Sequence, residues 1–209
     1  GKWHLGMLRT WQHPTSRGFD TSVGFMNGGE DYVTQRVGGV ENADWGCEGV
    51  DFLENAKPAL GRNGTFSMSW IHSELVRAIY PFKESTTPLF LFVALQAMHS
   101  PSPGPELLAH TVDKYAAAGM PDARFAETNA IITTADKLLD HAVELLRETN
   151  RWDNTLLIWT TDNGSPVQVA GSNAPLKGGK GSIWEGGVRV PAAINGGFLP
   201  ASARGTTLD

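Results

Sequence analysis

The chain has 209 residues, 41% of them hydrophobic, enough for one substantial core, so a single domain or most of one is expected. Its 17 Lys and Arg against 22 Asp and Glu leave a net charge of −5, which excludes an overall basic field for nucleic acid; any anion must be met locally. No apolar run reaches the ~18 residues of a transmembrane helix, and the lone Cys47 excludes a disulfide framework or Cys-rich zinc site within these residues, so it reads as a buried spectator.

The chain opens on Gly1-Lys2-Trp3-His4-Leu5-Gly6 and stops at Thr207-Leu208-Asp209 with no closing element, which reads as an excerpt from a longer protein. From Gly1 to Gly64, Gly, Asp and Asn abound and apolar periods are short, so loops with short strands are expected. Asn63-Gly64-Thr65 in this stretch is a glycosylation sequon, relevant only in a secretory compartment. Trp70, Ile71, Leu75, Val76 and Ile79 recur at helical spacing and predict a helix over Ser67–Tyr80, stopped by Pro81. Leu89-Phe90-Leu91-Phe92-Val93-Ala94-Leu95 predicts a strand buried on both faces, ending on Gln96-Ala97-Met98-His99. Pro101, Pro103 and Pro105 then predict a stiff, non-helical connection.

From Asp122 to Asn150 a long amphipathic helix is predicted, with Ile132, Ala135, Leu139, Ala142 and Leu146 on the buried face and Asp136, Asp140, Glu144 and Glu148 off it. Leu156-Leu157-Ile158-Trp159-Thr160-Thr161 is a second apolar strand, and it ends abruptly on Asp162-Asn163-Gly164-Ser165. Strand, helix and strand in this order form a βαβ unit, whose right-handed crossover would turn His99 and Asp162-Asn163 toward one cleft. Asp beside Asn offers hard oxygen ligands for a divalent cation, although Asp-Asn-Gly is equally ordinary turn chemistry. A lone His at a strand end likewise serves a backbone carbonyl as readily as a reaction.

The segment from Ala174 to Pro191 holds five glycines and Lys180. It is no phosphate-cradling loop, because Ala174 stands where the first Gly is required and Gly181 where Ser or Thr is required. Neither G-x-S-x-G nor H-E-x-x-H occurs. Two lysines, two histidines and a divalent cation would together neutralise a tetrahedral oxyanion.

These residues resemble a known family, the sulfatases. Gly1-Lys2-Trp3-His4-Leu5-Gly6 looks like its second signature, Thr161-Asp162-Asn163-Gly164 like its metal-binding turn, and Leu176 to Arg189 like its lysine-bearing loop. Arg17-Gly18-Phe19-Asp20 and Leu95 to Pro101 extend the likeness across the chain, and within the family the run is most similar to the arylsulfatase B branch. The resemblance implies an α/β fold, an alkaline-phosphatase-like α/β/α sandwich with a mostly parallel central sheet, of which residues 1–209 would be a partial catalytic domain.

It also implies hydrolysis of sulfate esters around one bound Ca²⁺, by a formylglycine nucleophile made from Cys or Ser. On matching positions, Asp162 and Asn163 would be metal ligands, Asp162 also helping to deprotonate the nucleophile. Lys2 would stabilise the formylglycine oxygens, and His4 would take the proton that lets sulfate be eliminated. His99 and Lys180 would hold the sulfate oxygens, one of them assisting the departing alcohol. The implied substrate is a sulfated small molecule or sulfated glycan, with no nucleic-acid partner, in a lysosomal, secreted or periplasmic setting.

The C-x-P-S-R nucleophile motif and the paired Asp ligands of the family do not occur here, and Cys47 in Trp45-Gly46-Cys47-Glu48-Gly49 does not replace them. Nucleophile and remaining ligands are therefore expected upstream of Gly1, and the 209 residues alone are expected to be inactive. Two alternatives stay open: a phosphodiesterase or phosphonate hydrolase of the same superfamily, or an inactive remnant that binds sulfated glycans.

Overall fold

The computed structural model describes residues 1–37, 49–120, 122–166 and 171–207. Cys47, and with it much of the Gly38 to Gly64 loop, lies outside the described residues. The chain divides into two compact units, Gly1–Ala142 and Val143–Asp209.

Short strands dominate the start of the first unit, as its Gly, Asp and Asn content leads one to expect. They are β1 (Val23–Gly24), β2 (Arg36–Val37), β3 (Gly49–Val50), β4 (Leu53–Glu54) and β5 (Lys57–Pro58). β1, β4 and β5 form one antiparallel sheet, with Val23 opposite Glu54 and Leu53 opposite Pro58, and β2 pairs antiparallel with β3. The predicted helix forms as α1 (Ser67–Ile79) and passes into a 3-10 turn at Tyr80–Phe82. Met68, Ile71, Leu75 and Ile79 are buried on one stripe of it, Trp70 is buried off that stripe, and the Trp70 ring meets Phe52 edge-on with centroids 4.6 Å apart.

α2 (Pro105–Ala117) corrects the expectation of a non-helical connection. Pro105 occupies the first helical position, where a missing N–H costs nothing, so the proline that looked like a breaker starts the helix. α3 (Ala123–Glu148) matches the predicted long helix, but its buried row is Ala126, Ala130, Ile131, Leu138 and Leu145. The residues expected there stand one position round, and Ile132 is exposed. The cause is visible in the doublets Ile131-Ile132, Leu138-Leu139 and Leu145-Leu146, either member of which suits a helical stripe; the small Ala126 and Ala130 align with the first. Leu108 of α2 packs on Ala130 and Ile131, with Phe66, Ala97, Val112 and Tyr115 around them.

The run Leu89 to Leu95 enters no ladder among the described residues, and Phe90 and Phe92 are 79% and 63% exposed. The expected strand buried on both faces is thus absent there. What forms is the rim of an arrangement: the Lys2 N–H donates to the Ala94 carbonyl at 3.0 Å, and Lys2 makes a parallel bridge to Phe25.

In the second unit, β6 (Leu157–Thr160) and β7 (Ala192–Asn195) pair antiparallel, Leu157 opposite Asn195 and Thr160 opposite Ala192, with the one-turn α4 (Glu185–Val188) before β7. β6 alternates half-buried and exposed residues, so it too departs from the doubly buried, parallel strand expected of its apolar run. Apolar composition shows which side chains favour burial, but it does not name the neighbour that covers them.

The Phe52–Trp70 contact anchors α1 to β4 and its neighbours. Trp70→Ala in the full-length protein should cost about 3–5 kcal/mol of stability, the range for a large buried aromatic, read as a lower urea midpoint at an unchanged slope.

Candidate functional site

Of the residues singled out in the sequence, Lys2, His4 and His99 lie in the first unit, and Asp162, Asn163 and Lys180 in the second. Residues 1–4 run beside residues 23–26: the Trp3 N–H donates to the Phe25 carbonyl at 2.9 Å and the His4 N–H to the Met26 carbonyl at 3.1 Å. Lys2 is half-buried in this arrangement. His4 follows in the left-handed backbone region, φ 51°, a conformation that costs a non-glycine residue about 1–3 kcal/mol and clusters at functional sites.

The chain after Met26 passes under both histidines. A Cβ at Gly28 would stand 3.0 Å from the His4 Cε1 and Nε2 atoms, and one at Gly29 would stand 2.8 Å from the His99 Nδ1. The two imidazoles are therefore brought together on one dipeptide. His99 Nδ1 lies 2.7 Å from the Ser100 carbonyl oxygen. A carbonyl only accepts, so Nδ1 carries the proton, and proton exchange at this ring runs through Nε2.

A buried polar strut fixes the segment that carries His99. The Tyr32 hydroxyl donates to the Gln96 carbonyl at 3.0 Å and to the His99 carbonyl at 3.1 Å, and Gln96 Nε2 donates to the Glu30 carbonyl at 2.5 Å. Burial raises the Tyr32 hydroxyl well above its ordinary pKa, so it stays a donor. Asp51 accepts the Met26 and Asn27 N–H groups, holding the approach to Gly28. Beside it, both Glu30 carboxyl oxygens are buried without a hydrogen-bond partner among the described residues. Burial first, and then the Asp51 carboxylate, push the Glu30 carboxyl up to about 9, so it is neutral near pH 7.

In the second unit the turn after β6 and the lysine loop are knotted through their backbones. The Gly164 N–H donates to the Gly187 carbonyl at 3.0 Å, the Lys180 N–H to the Ser165 carbonyl at 3.2 Å, and the Gly186 N–H to the Lys177 carbonyl at 2.8 Å. A Cβ at Gly164 would collide with the Gly186 carbonyl, and one at Gly186 with the Gly178 carbonyl. Asn173 ties the two strands of this knot, its Oδ1 accepting from the Ser165 N–H at 2.9 Å and its Nδ2 donating to the Ser165 and Gly178 carbonyls. Asp162 and Lys180 are exposed at its surface, and Asn163 is half-buried, with Nδ2 donating to the Gly164 carbonyl at 2.9 Å. Lys177 lies over the Trp184 ring, 3.9 Å from its centroid.

The sulfatase family model matches residues 1–197. The chain belongs to the sulfatase family. It is 32% identical to mouse (Mus musculus) arylsulfatase J over 200 residues, which cover 95% of this chain and 32% of that protein. It is 28% identical to human (Homo sapiens) N-acetylgalactosamine-6-sulfatase, over 92% of this chain and 35% of that protein. The crystal structure of Ps i-CgsB in complex with k-i-k-neocarrahexaose superimposes with a TM-score of 0.76 at 26% identity, over 92% of this chain and 43% of that one. The chain thus spans about a third of the length of these curated relatives, and its fold is the family's alkaline-phosphatase-like α/β fold.

For a sulfatase's cation, the donor chemistry of the turn fits: Asp162 carries a carboxylate and Asn163 an amide oxygen, the hard ligands Ca²⁺ takes. Ca²⁺ takes about 6–8 oxygens, and among the described residues no group of three or more His, Cys, Asp or Glu gathers to hold a metal. The turn alone could supply only part of such a shell. No helix among the described residues is long and apolar enough to cross a membrane.

Sequence reasoning missed Gly28, Gly29, Tyr32 and Asn173. The signal for the first pair was a Gly-Gly beside an acid; the roles of Tyr32 and Asn173 rest on contacts between distant residues, which no local pattern reports.

Two outcomes follow from these geometries. The folded Glu30 carboxyl, at about 9 against an ordinary 4.5, holds a proton that the unfolded chain has released. Its contribution to stability is complete below pH 4.5 and is lost as pH rises through 9. Urea midpoints of the full-length protein should fall across that window, and Glu30→Gln should flatten the fall. Asn173→Ala should cost roughly 1–3 kcal/mol, the range for buried backbone groups stripped of their partner, read as a lower melting temperature together with faster proteolysis of the Gly171 to Gly187 loop.

Proposed function

We propose that the full-length protein hydrolyses sulfate esters and that residues 1–209 are a partial catalytic domain of it, within an α/β/α sandwich whose central sheet is mostly parallel. What carries the reading is that the family match over residues 1–197 coincides with the seating of His4 and His99 on one dipeptide. The parallel Lys2–Phe25 bridge supports the sheet. Placement near arylsulfatase B rests on the overall run of the sequence.

In this proposal, Lys2 and Lys180 set ammonium charge against anionic oxygens, Lys2 toward the nucleophile and Lys180 toward the sulfate. His99 shares the sulfate with Lys180, its Nδ1–H held by the Ser100 carbonyl so that Nε2 meets the ligand. One of these two assists the departing alcohol. His4 removes the proton that lets sulfate leave after transfer, a task suited to a group that exchanges protons near neutrality. Asp162 and Asn163 would hold Ca²⁺ by one carboxylate and one amide oxygen, and Asp162 would also help to deprotonate the nucleophile. When bound, the cation supplies positive charge next to the reacting oxygens. The nucleophile is a formylglycine elsewhere in the full-length protein.

A saccharide-borne sulfate is the favoured substrate, because one relative is named for N-acetylgalactosamine and one similar structure holds a neocarrahexaose. A lysosomal, secreted or periplasmic setting is proposed with it. The sequon supports this, since Asn63, Gly64 and Thr65 are all exposed.

His4→Ala in the full-length protein should release one equivalent of alcohol in a burst and then stall, with steady-state turnover down roughly 10²–10⁴-fold as for loss of a general acid–base group. Stopped-flow assay of an aryl sulfate checks it; an unchanged steady-state rate would remove His4 from the mechanism.

A further inference from the structure

Among the described residues, Gly28 and Gly29 are the two glycines whose missing side chains would land on an imidazole. Backbone conformation does not explain them. Neither is among the glycines with positive φ, so an L-residue at either position would meet no backbone strain. The obstacle is the ring itself. At Gly29 a Cβ would stand 2.8 Å from His99 Nδ1, 2.9 Å from Cε1 and 3.3 Å from the Ser100 carbonyl oxygen. Real Cβ atoms do not approach that closely, so something has to move.

The ring has little freedom to retreat. Its Nδ1–H is bonded to the Ser100 carbonyl at 2.7 Å, and the carbonyls of His99 and Gln96 both accept from the buried Tyr32 hydroxyl. A methyl group at residue 29 therefore breaks the bond that fixes the tautomer, or swings the ring away from its working position. At Gly28 the ideal Cβ is 3.0 Å from His4 Cε1 and Nε2. His4 is exposed, so its ring gives way more easily.

We propose that Gly28 and Gly29 are positioning residues: the bare dipeptide is the seat that sets where the His4 and His99 imidazoles stand, and glycine is required there to leave room for the rings. The kinetic part of this rests on the sulfatase reading above; the seating does not.

The test uses the full-length protein. With an aryl sulfate as substrate, Gly29→Ala should lower kcat/KM by roughly tenfold or more, since an ångström-scale misplacement of a working group costs up to about a hundredfold. Gly28→Ala should lower it less. In a His99→Ala background, Gly29→Ala should add less than about twofold, because the ring it displaces is gone. A general structural role would give the same loss in both backgrounds, and that result would overturn the proposal. Gly61, whose Cβ would meet nothing within 4 Å, provides the control Gly61→Ala.

A second readout is independent of the reaction. In ¹⁵N imidazole spectra the His99 Nδ1 resonance should shift in Gly29→Ala and stay in place in Gly61→Ala. If the wild-type protein hydrolyses no sulfate ester, the functional reading falls and the spectra alone decide the seating. An unmoved Nδ1 resonance in Gly29→Ala overturns the seating whatever the kinetics show.

Discussion

At Gly164 the space a side chain would need is filled by the Gly186 carbonyl, and at Gly186 it is filled by the Gly178 carbonyl. The turn that carries Asp162 and Asn163 touches the loop that carries Lys180 directly through peptide groups, and the Asn173 side chain ties the two. That approach allows the Gly164-to-Gly187 and Lys180-to-Ser165 hydrogen bonds. It also fixes the backbone that carries carboxylate, amide and ammonium in one unit. Charged groups meant for an anion or a cation gain most when they need no rearrangement on binding.

The first unit solves the same problem by other means. His99 stands on a segment whose carbonyls are gathered by one tyrosine hydroxyl and whose Gln96 reaches across to Glu30. The polar groups doing this are buried, where hydrogen bonds are stronger and unpaired donors costlier. Glu30 avoids the cost of a buried charge by keeping its proton.

How much of this was legible in the sequence depended on the range of the interaction. α1 and α3 were legible because apolar residues at spacings of three and four mark a helix within one window. The buried row of α3 was misplaced by one residue because its doublets offer two equivalent stripes, and the choice is made by packing. Pro105 was misread because proline has opposite meanings inside a helix and at its first position. The run Leu89 to Leu95 was read as doubly buried, yet Phe90 and Phe92 face solvent here. Asp162-Asn163-Gly164 and the Lys180 loop were identifiable as family motifs, but Asn173 became visible only when its three backbone partners were close in space.

The bond from His99 Nδ1–H to the Ser100 carbonyl gives the imidazole a front and a back. A ring rotated by half a turn would offer that carbonyl a carbon atom and lose the bond, so the two orientations are unequal. An arriving oxyanion meets one nitrogen at one angle, and the handedness of that encounter is written into the backbone before any ligand is present.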